Sequence, residues 1–533
     1  MKKINQGLLM AKGLLIAATS VMLLTACSAD KDEQTIALKA DLLIKNGTVY
    51  TGDNLQPQTL DIAICGQVIC GVFATDERKT NTVNAKKIID AKGKIVSPGF
   101  IDPHTHSLAE LRSKDKNHNL NYLTQGVTTV VNGNDGEGPV DIVGTANALE
   151  ANGIGTNVAL FVGHGSVRQQ VMGRERRIAT DAELVEMSAL VEKAMQDGAV
   201  GLSSGLYYVP GSYANTEEVI TLAKVASKYN GIYDTHLRDE STFNIGFLAA
   251  IDEAIEVAEQ ADIHLHLAHI KALGVDVWGQ SEPAIAKVEA AQERGVSISA
   301  DQYPWLASGT KLHSAVMPKW VMADSETAFH QRLNDATLAE KLNAQISENI
   351  RRRGGPESLL VTAFKDKALV GLNLQQIAEQ RNLTPVDTAK QLVQEGAVRV
   401  ASFNMSPADV ERFMVKPWVV TSSDGTNGHP RKFASFPQKY QDYVVNKKLL
   451  TVGEFIARSS TETAKIFGFT DRGTIKTGYK ADVIIFDAKK FVPKANFSQW
   501  NVYSQGIDTV VLNGEIVVEN EVYQDKLAGK FIH

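Results

Sequence analysis

The sequence predicts an α/β fold: a TIM-like (β/α)8 barrel with a small β-sandwich assembled from both chain ends. Three observations predict it. Eight short apolar runs alternate with segments of helical periodicity through the middle of the chain. Short β-patterned runs with Asn-Gly turns recur near both termini. The composition is that of a soluble globular protein, with 44% apolar and 22% charged residues. The 533 residues carry 55 Lys and Arg against 61 Asp and Glu, a net charge of −6. A disordered chain, a collagen-like fibre and a polytopic membrane protein are excluded. The mildly acidic balance also argues against a nucleic-acid partner.

The chain opens with Lys2, Lys3 and Lys12 before an apolar run from Leu14 to Leu24. That run is shorter than the roughly 20 residues of a membrane span and fits an export signal. It ends in Leu24-Thr25-Ala26-Cys27, which resembles a bacterial lipobox. The expectation is a signal peptide over 1–26, lipidation of Cys27 and a polar tether over 27–35. Ser28, in place of Asp, favours the outer membrane. The protein is thus expected on the periplasmic side, held by lipid. The other two cysteines, Cys65 and Cys70, flank a turn at Gly66-Gln67. A regular two-residue hairpin pairs Cys65 with Val68 and Cys70 with Ala63. The sulfurs are then diagonal neighbours, and both residues read as strand-packing groups without a disulfide.

Residues 36–97 and 474–528 form the expected β-sandwich. Residues 98–305 and 417–473 form the barrel, with strands at 99–102, 126–131, 157–162, 199–203, 231–236, 263–269, 296–301 and 418–424. Ile245, Leu248, Ile251, Ile255 and Ala258 make one helical stripe. Val219, Leu222 and Val225 make another, with a cap expected at Thr216. Residues 306–416 are too long for one crossover and read as a mostly helical insertion, placed where a lid would be.

Active-site groups of such a barrel lie at the C-terminal ends of its strands. Polar residues collect there. Strand one closes with Asp102-Pro103-His104-Thr105-His106, and residues two apart share a face. Strand five ends with His236, strand six with His269 and strand eight with Asp424. Imidazoles converging from several strands suit a borderline metal such as zinc, and a carboxylate beside the metal can take a proton from water. His264 and His266 have the opposite parity to His269, so they are expected to face away from the barrel axis.

Gly99-Phe-Ile-Asp-Pro-His-Thr-His resembles the opening metal motif of the amidohydrolase superfamily. Gly163-His-Gly-Ser-Val-Arg, Val171-Met-Gly, Gly205-Leu-Tyr-Tyr-Val-Pro-Gly, Thr235-His-Leu-Arg, Ala268-His-Ile-Lys-Ala, Asp301-Gln-Tyr-Pro and Ser423-Asp-Gly…His429-Pro-Arg follow in order. Together they are similar to the N-acyl-D-amino-acid deacylase (D-aminoacylase) family over roughly residues 40–525. The resemblance implies a metal-dependent hydrolase holding one or two zinc ions. It makes His236 and His269 zinc ligands, with His104 and His106 as the other half of the site. Asp424 matches the general acid/base, with His164 expected to assist. Tyr208, Lys271 and Arg431 match groups that hold the substrate carboxylate, and Tyr303 is placed with them. An Arg and a Lys near a metal also make a carboxylate clamp on chemical grounds.

One departure stands out. The family pattern has Asn-Cys-Gly after strand two, where the Cys ligates metal; this chain has Asn134-Asp135-Gly136. Asp135 is expected to bridge two metals, with Glu137 in reserve. The expected reaction is hydrolysis of the amide of an N-acyl-D-amino acid. A dipeptidase acting on D-residue dipeptides would use the same clamp. A cyclic amidase would need a carbamylated Lys on strand four, and residues 201–208 contain none. A non-catalytic binding lipoprotein has no use for Asp424.

Overall fold

A computed structural model of the protein describes residues 37–75 and 82–533. The leader, Cys27 and the tether therefore lie outside the described residues.

Eight parallel strands make the barrel. They are Phe100–Thr105, Val127–Asn132, Asn157–Leu160 continued as Val162–Gly163, Gly201–Gly205, Ile232–His236, His264–Leu267, Ile298–Gln302 and Val419–Thr421. Three form one hydrogen-bonded sheet and six segments form another, because Phe161 interrupts the third strand. The ring closes where Thr105 bridges to Gly425 and the Asp424 N–H donates to the His104 carbonyl at 3.0 Å. Every strand is buried on both faces, as parallel strands under helices must be. Ile101, Val131, Phe161 and Ile232 pack with Phe467, Phe469 and Ile532 in one apolar cluster. This cluster fills one part of the barrel, and the polar residues described below occupy another.

The outer helices follow their apolar stripes. Helix Phe247–Ala261 buries Ala250, Ile251, Ala254, Ile255 and Ala258. Ile245 precedes the helix and is exposed. Helix Thr216–Ser227 is capped one residue earlier than expected, by Asn215, whose side chain accepts from the Glu218 N–H.

The chain ends combine in one ten-stranded sheet. Strand Ile95–Pro98 joins the two contributions, pairing with Thr48–Val49 on one side and Val483–Phe486 on the other. Leu42, Ile62, Val96, Val483 and Val511 share a single core, so neither terminal segment could bury its apolar face alone. Cys65 and Cys70 depart from expectation: they form a disulfide, with Cα atoms 5.7 Å apart. Cys65 does pair with Val68, and Ile64 with Ile69, but Ala63 pairs with Gly71. Cys70 is the extra residue of a β-bulge, which turns it out of the diagonal position of a regular hairpin.

Between barrel strands seven and eight lies the insertion. Besides helices Glu326–Asn334, Ala339–Arg352, Leu374–Arg381 and Pro385–Glu395, it contains a three-stranded antiparallel sheet. Strand Arg399–Phe403 is the middle strand, between Ala307–Lys311 and Leu359–Ala363. Val316, Ile346, Ile377, Leu392 and Val400 give this unit its own core. Helix Pro407–Met414 belongs to the barrel instead: Asp409 accepts hydrogen bonds from the Gly279 N–H and the Ser281 hydroxyl at the start of helix Ser281–Glu293. The insertion reaches the barrel mouth through Tyr207, whose hydroxyl donates to the Ser314 carbonyl and accepts from Arg353.

The 65–70 disulfide closes a very short loop already held by strand pairing. Replacing both cysteines by serine should lower stability by about 2 kcal/mol at most and leave activity unchanged. Peptide mapping of the unreduced protein should find the two cysteines linked; free thiols at both positions would contradict the structure.

Candidate metal centre and active site

The site is built by strand ends and the backbone that follows them. His104 comes from inside strand one, and His106 from just past it. His236 is the last residue of strand five. His269 lies two residues beyond strand six, with φ of 34°, and Asp424 lies three beyond strand eight, with φ of 46°. Asp135 follows strand two, with φ of 58°. Three of the functional residues thus hold left-handed backbone, which for a non-glycine residue costs about 1–3 kcal/mol each. Neighbouring contacts must hold them there.

For Asp135 those contacts are visible. The Ser203 hydroxyl of strand four donates to the Gly133 carbonyl and accepts from the Gly136 N–H at 3.1 Å. The Asn134 amide donates to the Pro103 carbonyl at 3.0 Å. Glycines let the loop lie flat on strands three and four. A Cβ on Gly205 would stand 2.0 Å from the Asp135 carbonyl oxygen, and one on Gly163 would stand 2.4 Å from that of Gly136.

Four imidazoles surround the Asp135 carboxylate. Its Oδ1 lies 3.5 Å from His104 Nε2, 3.6 Å from His236 Nδ1 and 3.3 Å from His269 Nε2; its Oδ2 lies 3.6 Å from His106 Nε2. Two donor sets result, sharing Asp135: His104, His106, Asp135 and Asp424, and Asp135, His236 and His269. All are buried except His106, which is partly exposed to the cavity. Both His104 ring nitrogens and Asp135 Oδ1 are buried without a hydrogen-bond partner. Buried polar atoms are rarely left so; a cation between His104 Nε2 and Asp135 Oδ1 would satisfy both, while His104 Nδ1 faces Asp301 on the other side of the ring. This donor set of nitrogens and carboxylates therefore fits a zinc-type metal.

Burial opposes a charge on His104 and His269, yet Asp135 raises both above the usual imidazole range, His269 to about 9, so the carboxylate draws positive charge to this point. Burial disfavours the charge on Asp135, but His104 and His269 outweigh it and hold the carboxyl well below its usual range. Burial also opposes ionisation of Asp424, and Arg431 and His269 overcome it. Both carboxylates are therefore charged. His236 is lowered by burial, which keeps its imidazole neutral, the form that ligates metal.

Around this centre lies a cavity of about 300 Å³, lined among others by His106, Tyr208, Lys271 and Arg431. Such a volume suits a small molecule. Arg431 contacts Asp424 Oδ2 at 2.7 Å and stacks 4.8 Å from the Tyr303 ring. The Tyr208 ring lies 4.7 Å from that of His236. Lys271 donates to Glu240 Oε1 at 2.5 Å, to the His269 carbonyl and to His269 Nδ1 at 2.7 Å. It thus positions His269 as well as facing the cavity.

Two expectations require correction. His164 does not line the cavity; it opens helix His164–Met172 and its Nε2 bonds Glu218 at 2.9 Å beside Arg168. Its partners make it a packing and helix-anchoring group. His266 faces inward, not away from the axis, with its Nε2 3.0 Å from Asp301 Oδ2. The parity argument failed because strand six ends at Leu267 and the left-handed turn at His269 resets the alternation. Two further residues were not singled out by sequence reasoning. Asp301 faces His104 Nδ1 at 3.7 Å. Glu240, four residues after His236, lies 3.3 Å from His269 Nδ1 and is lowered to about 2, burial notwithstanding, by Lys271 and His236. No local pattern marks it, because residues 237–240 form neither helix nor strand.

Gly205→Ala tests the glycine-dependent placement of Asp135. The variant should keep its circular dichroism and lose more than half its bound metal. Full metal content would show that the loop tolerates the side chain.

The comparisons with known proteins agree with this geometry. The Amidohydrolase family model matches residues 95–517. The chain is 28% identical to a D-aminoacylase of Alcaligenes xylosoxydans xylosoxydans, over 92% of this chain and 97% of that one. It is 29% identical to an N-acyl-D-glutamate deacylase of the same organism, over 89% and 93%. A solved D-aminoacylase structure with a binuclear metal centre superposes with a TM-score of 0.78 at 28% identity, covering 92% of this chain and 99% of that one. The N-acyl-D-glutamate deacylase of Bordetella bronchiseptica, solved with zinc and a phosphonate mimic of the tetrahedral intermediate, gives 0.78 at 26% identity, with the same coverage. The chain belongs to the amidohydrolase family and is a metal-dependent enzyme of it.

Proposed function

We propose that the enzyme hydrolyses the amide bond of N-acyl-D-amino acids, releasing a carboxylate and the free D-amino acid. The observation that carries this reading is Asp424, an ionised buried carboxylate shared between the histidine cluster and Arg431 in one small cavity. His104, His106, Asp135, His236 and His269 would hold one or two zinc ions. When bound, zinc polarises the scissile carbonyl and acidifies water.

The chain's own residues divide the remaining work. Asp424 Oδ1 lies 3.3 Å from His106 Nε2, and from there it accepts a proton from water and returns it to the leaving nitrogen. Arg431 keeps Asp424 ionised between turnovers and presents its guanidinium to the substrate's free carboxylate. Tyr208 supplies an aromatic wall beside His236, while Tyr303, expected with the substrate-binding groups, is buried and does not line the cavity but stacks against Arg431. Glu240 and Lys271 fix the orientation of His269. Relatives that act on N-acyl-D-amino acids support the choice of substrate. The Cys27 lipobox supports a lipid-anchored enzyme on the periplasmic side, at the outer membrane.

Initial rates on paired N-acetyl-D and N-acetyl-L amino acids, with metal content read on the same sample, test the reading. Turnover should be confined to the D series. Asp424→Asn, compared with the unaltered enzyme at equal metal content, should lose about 10²–10⁴-fold in kcat. A filled metal site without turnover of either series would overturn simple deacylation and direct attention to D-residue dipeptides.

A further inference from the structure

The sequence holds a second His-x-His pair that the reaction above does not use, His264 and His266. Both stand on barrel strand six, and strand seven runs parallel beside it with His266 opposite Ser299. Residues two apart share a strand face, so His264 and His266 meet Ser297, Ser299 and Asp301. The contacts form one unbroken line. His264 Nδ1 bonds the Ser297 hydroxyl at 2.6 Å and its Nε2 bonds the Ser299 hydroxyl at 2.7 Å. His266 Nδ1 bonds the same Ser299 hydroxyl at 2.7 Å, and its Nε2 donates to Asp301 Oδ2 at 3.0 Å. Asp301 Oδ1 accepts from the hydroxyl of Ser422, just past strand eight.

The line starts at exposed Ser297 and ends beside a metal-ligating ring. Asp301 Oδ2 lies 3.7 Å from His104 Nδ1, a buried ring nitrogen with no hydrogen-bond partner. His104 turns its other nitrogen, Nε2, toward Asp135 and Asp424. A histidine that ligates through Nε2 carries its proton on Nδ1, and a carboxylate on that side fixes the ring and strengthens it as a ligand. Asp301 stands where that carboxylate is needed, held by His266 on one side and Ser422 on the other. The surroundings of the line are apolar: the His266 ring lies 5.5 Å from that of Phe467, a member of the cluster with Ile101 and Ile232. Buried paired groups often give no more stability than apolar side chains of similar volume. Stability alone therefore does not account for a polar seam here.

We propose that His266, backed by Ser299 and His264, is a positioning residue for the metal centre. It holds Asp301 against His104 and so sets the affinity of the half-site that His104 forms with His106, Asp135 and Asp424. The inference rests on the metal-centre assignment and is independent of the choice of substrate.

Zinc titration of the metal-free protein against a chromophoric chelator tests this, with the visible spectrum of the cobalt(II)-loaded protein as a second reading. His266→Phe keeps an aromatic ring beside Phe467 and loses the bond to Asp301. It should weaken zinc at this half-site by about tenfold or more and alter the cobalt absorption bands. His266→Gln, whose amide can still donate to Asp301, should recover most of both. In a His104→Ala background the Phe exchange should cost nothing further, because the effect travels through that ring. If the His266 variants do not fold, Ser299→Ala decides: it should also weaken zinc, and only while His104 is present. Unchanged zinc affinity in the Phe and Ala variants overturns the proposal. Equal losses in the Phe and Gln variants, or equal losses with and without His104, overturn it as well. A wild-type protein that takes up no zinc overturns the metal-centre assignment itself.

Discussion

A single buried carboxylate sets the conditions for the rest of the structure. Asp135 is withdrawn from water and faced by four imidazoles from strands one, five and six. A lone charge in such a place would be expelled by its desolvation cost. It persists because the rings, and a metal among them, supply the compensating charge. The rings in turn are drawn together around it, and His236 Nδ1 and His269 Nε2 also contact each other directly at 2.9 Å. The carboxylate needs the rings, so the barrel must deliver both to the same point.

That demand explains the local backbone. A strand places side chains on alternate faces at fixed spacing, and eight strands cannot all aim a ligand at one point by alternation. The chain departs from strand geometry where it must, at Asp135, His269 and Asp424, through left-handed residues at strand ends. The conformational cost is met by bonds from neighbouring strands. Ser203 holds the loop of Asp135, and the Asp424 N–H is tied to the strand-one carbonyl that closes the ring. Gly163 and Gly205 belong to the same solution, because the loop lies where their side chains would be. Glycines in the quoted motifs are therefore as much a part of the site as its histidines.

This also shows what can be read from the sequence. Barrel order and the two-ended β-domain were legible, since strand and helix periodicities are local. His104, His106, His236, His269, Asp135 and Asp424 were legible because strand ends are local too, and the structure brings all six together. What failed depended on single-residue irregularities or on distant partners. The bulge at Cys70 and the turn at His269 each shift the alternation by one residue, which reverses the inferred facing of a side chain. His164 stands at a strand end like the six residues that the structure brings together, and only the distant Glu218 shows that it is spoken for. Arg399 carries no local signal: it lies in a strand of the insertion, and nothing near it in the chain says which cavity it faces.

The two sources of the cavity wall imply a division of labour. Every residue that could hold metal or move a proton comes from the barrel, where strand ends are braced on both sides. The insertion contributes Lys311, Arg399 and, through Tyr207, the positions of Ser314 and Arg353. Its separate core means that its strands can change sequence without disturbing Asp135 or the rings around it. Substitutions on the insertion sheet are felt instead at Arg431 and Asp424, because Arg431 donates to the Gly309 carbonyl and Arg399 feels the charges of both. The insertion is thus packed on its own core yet bonded to the site, and the two parts of the chain meet where its first strand holds Arg431 at the barrel mouth.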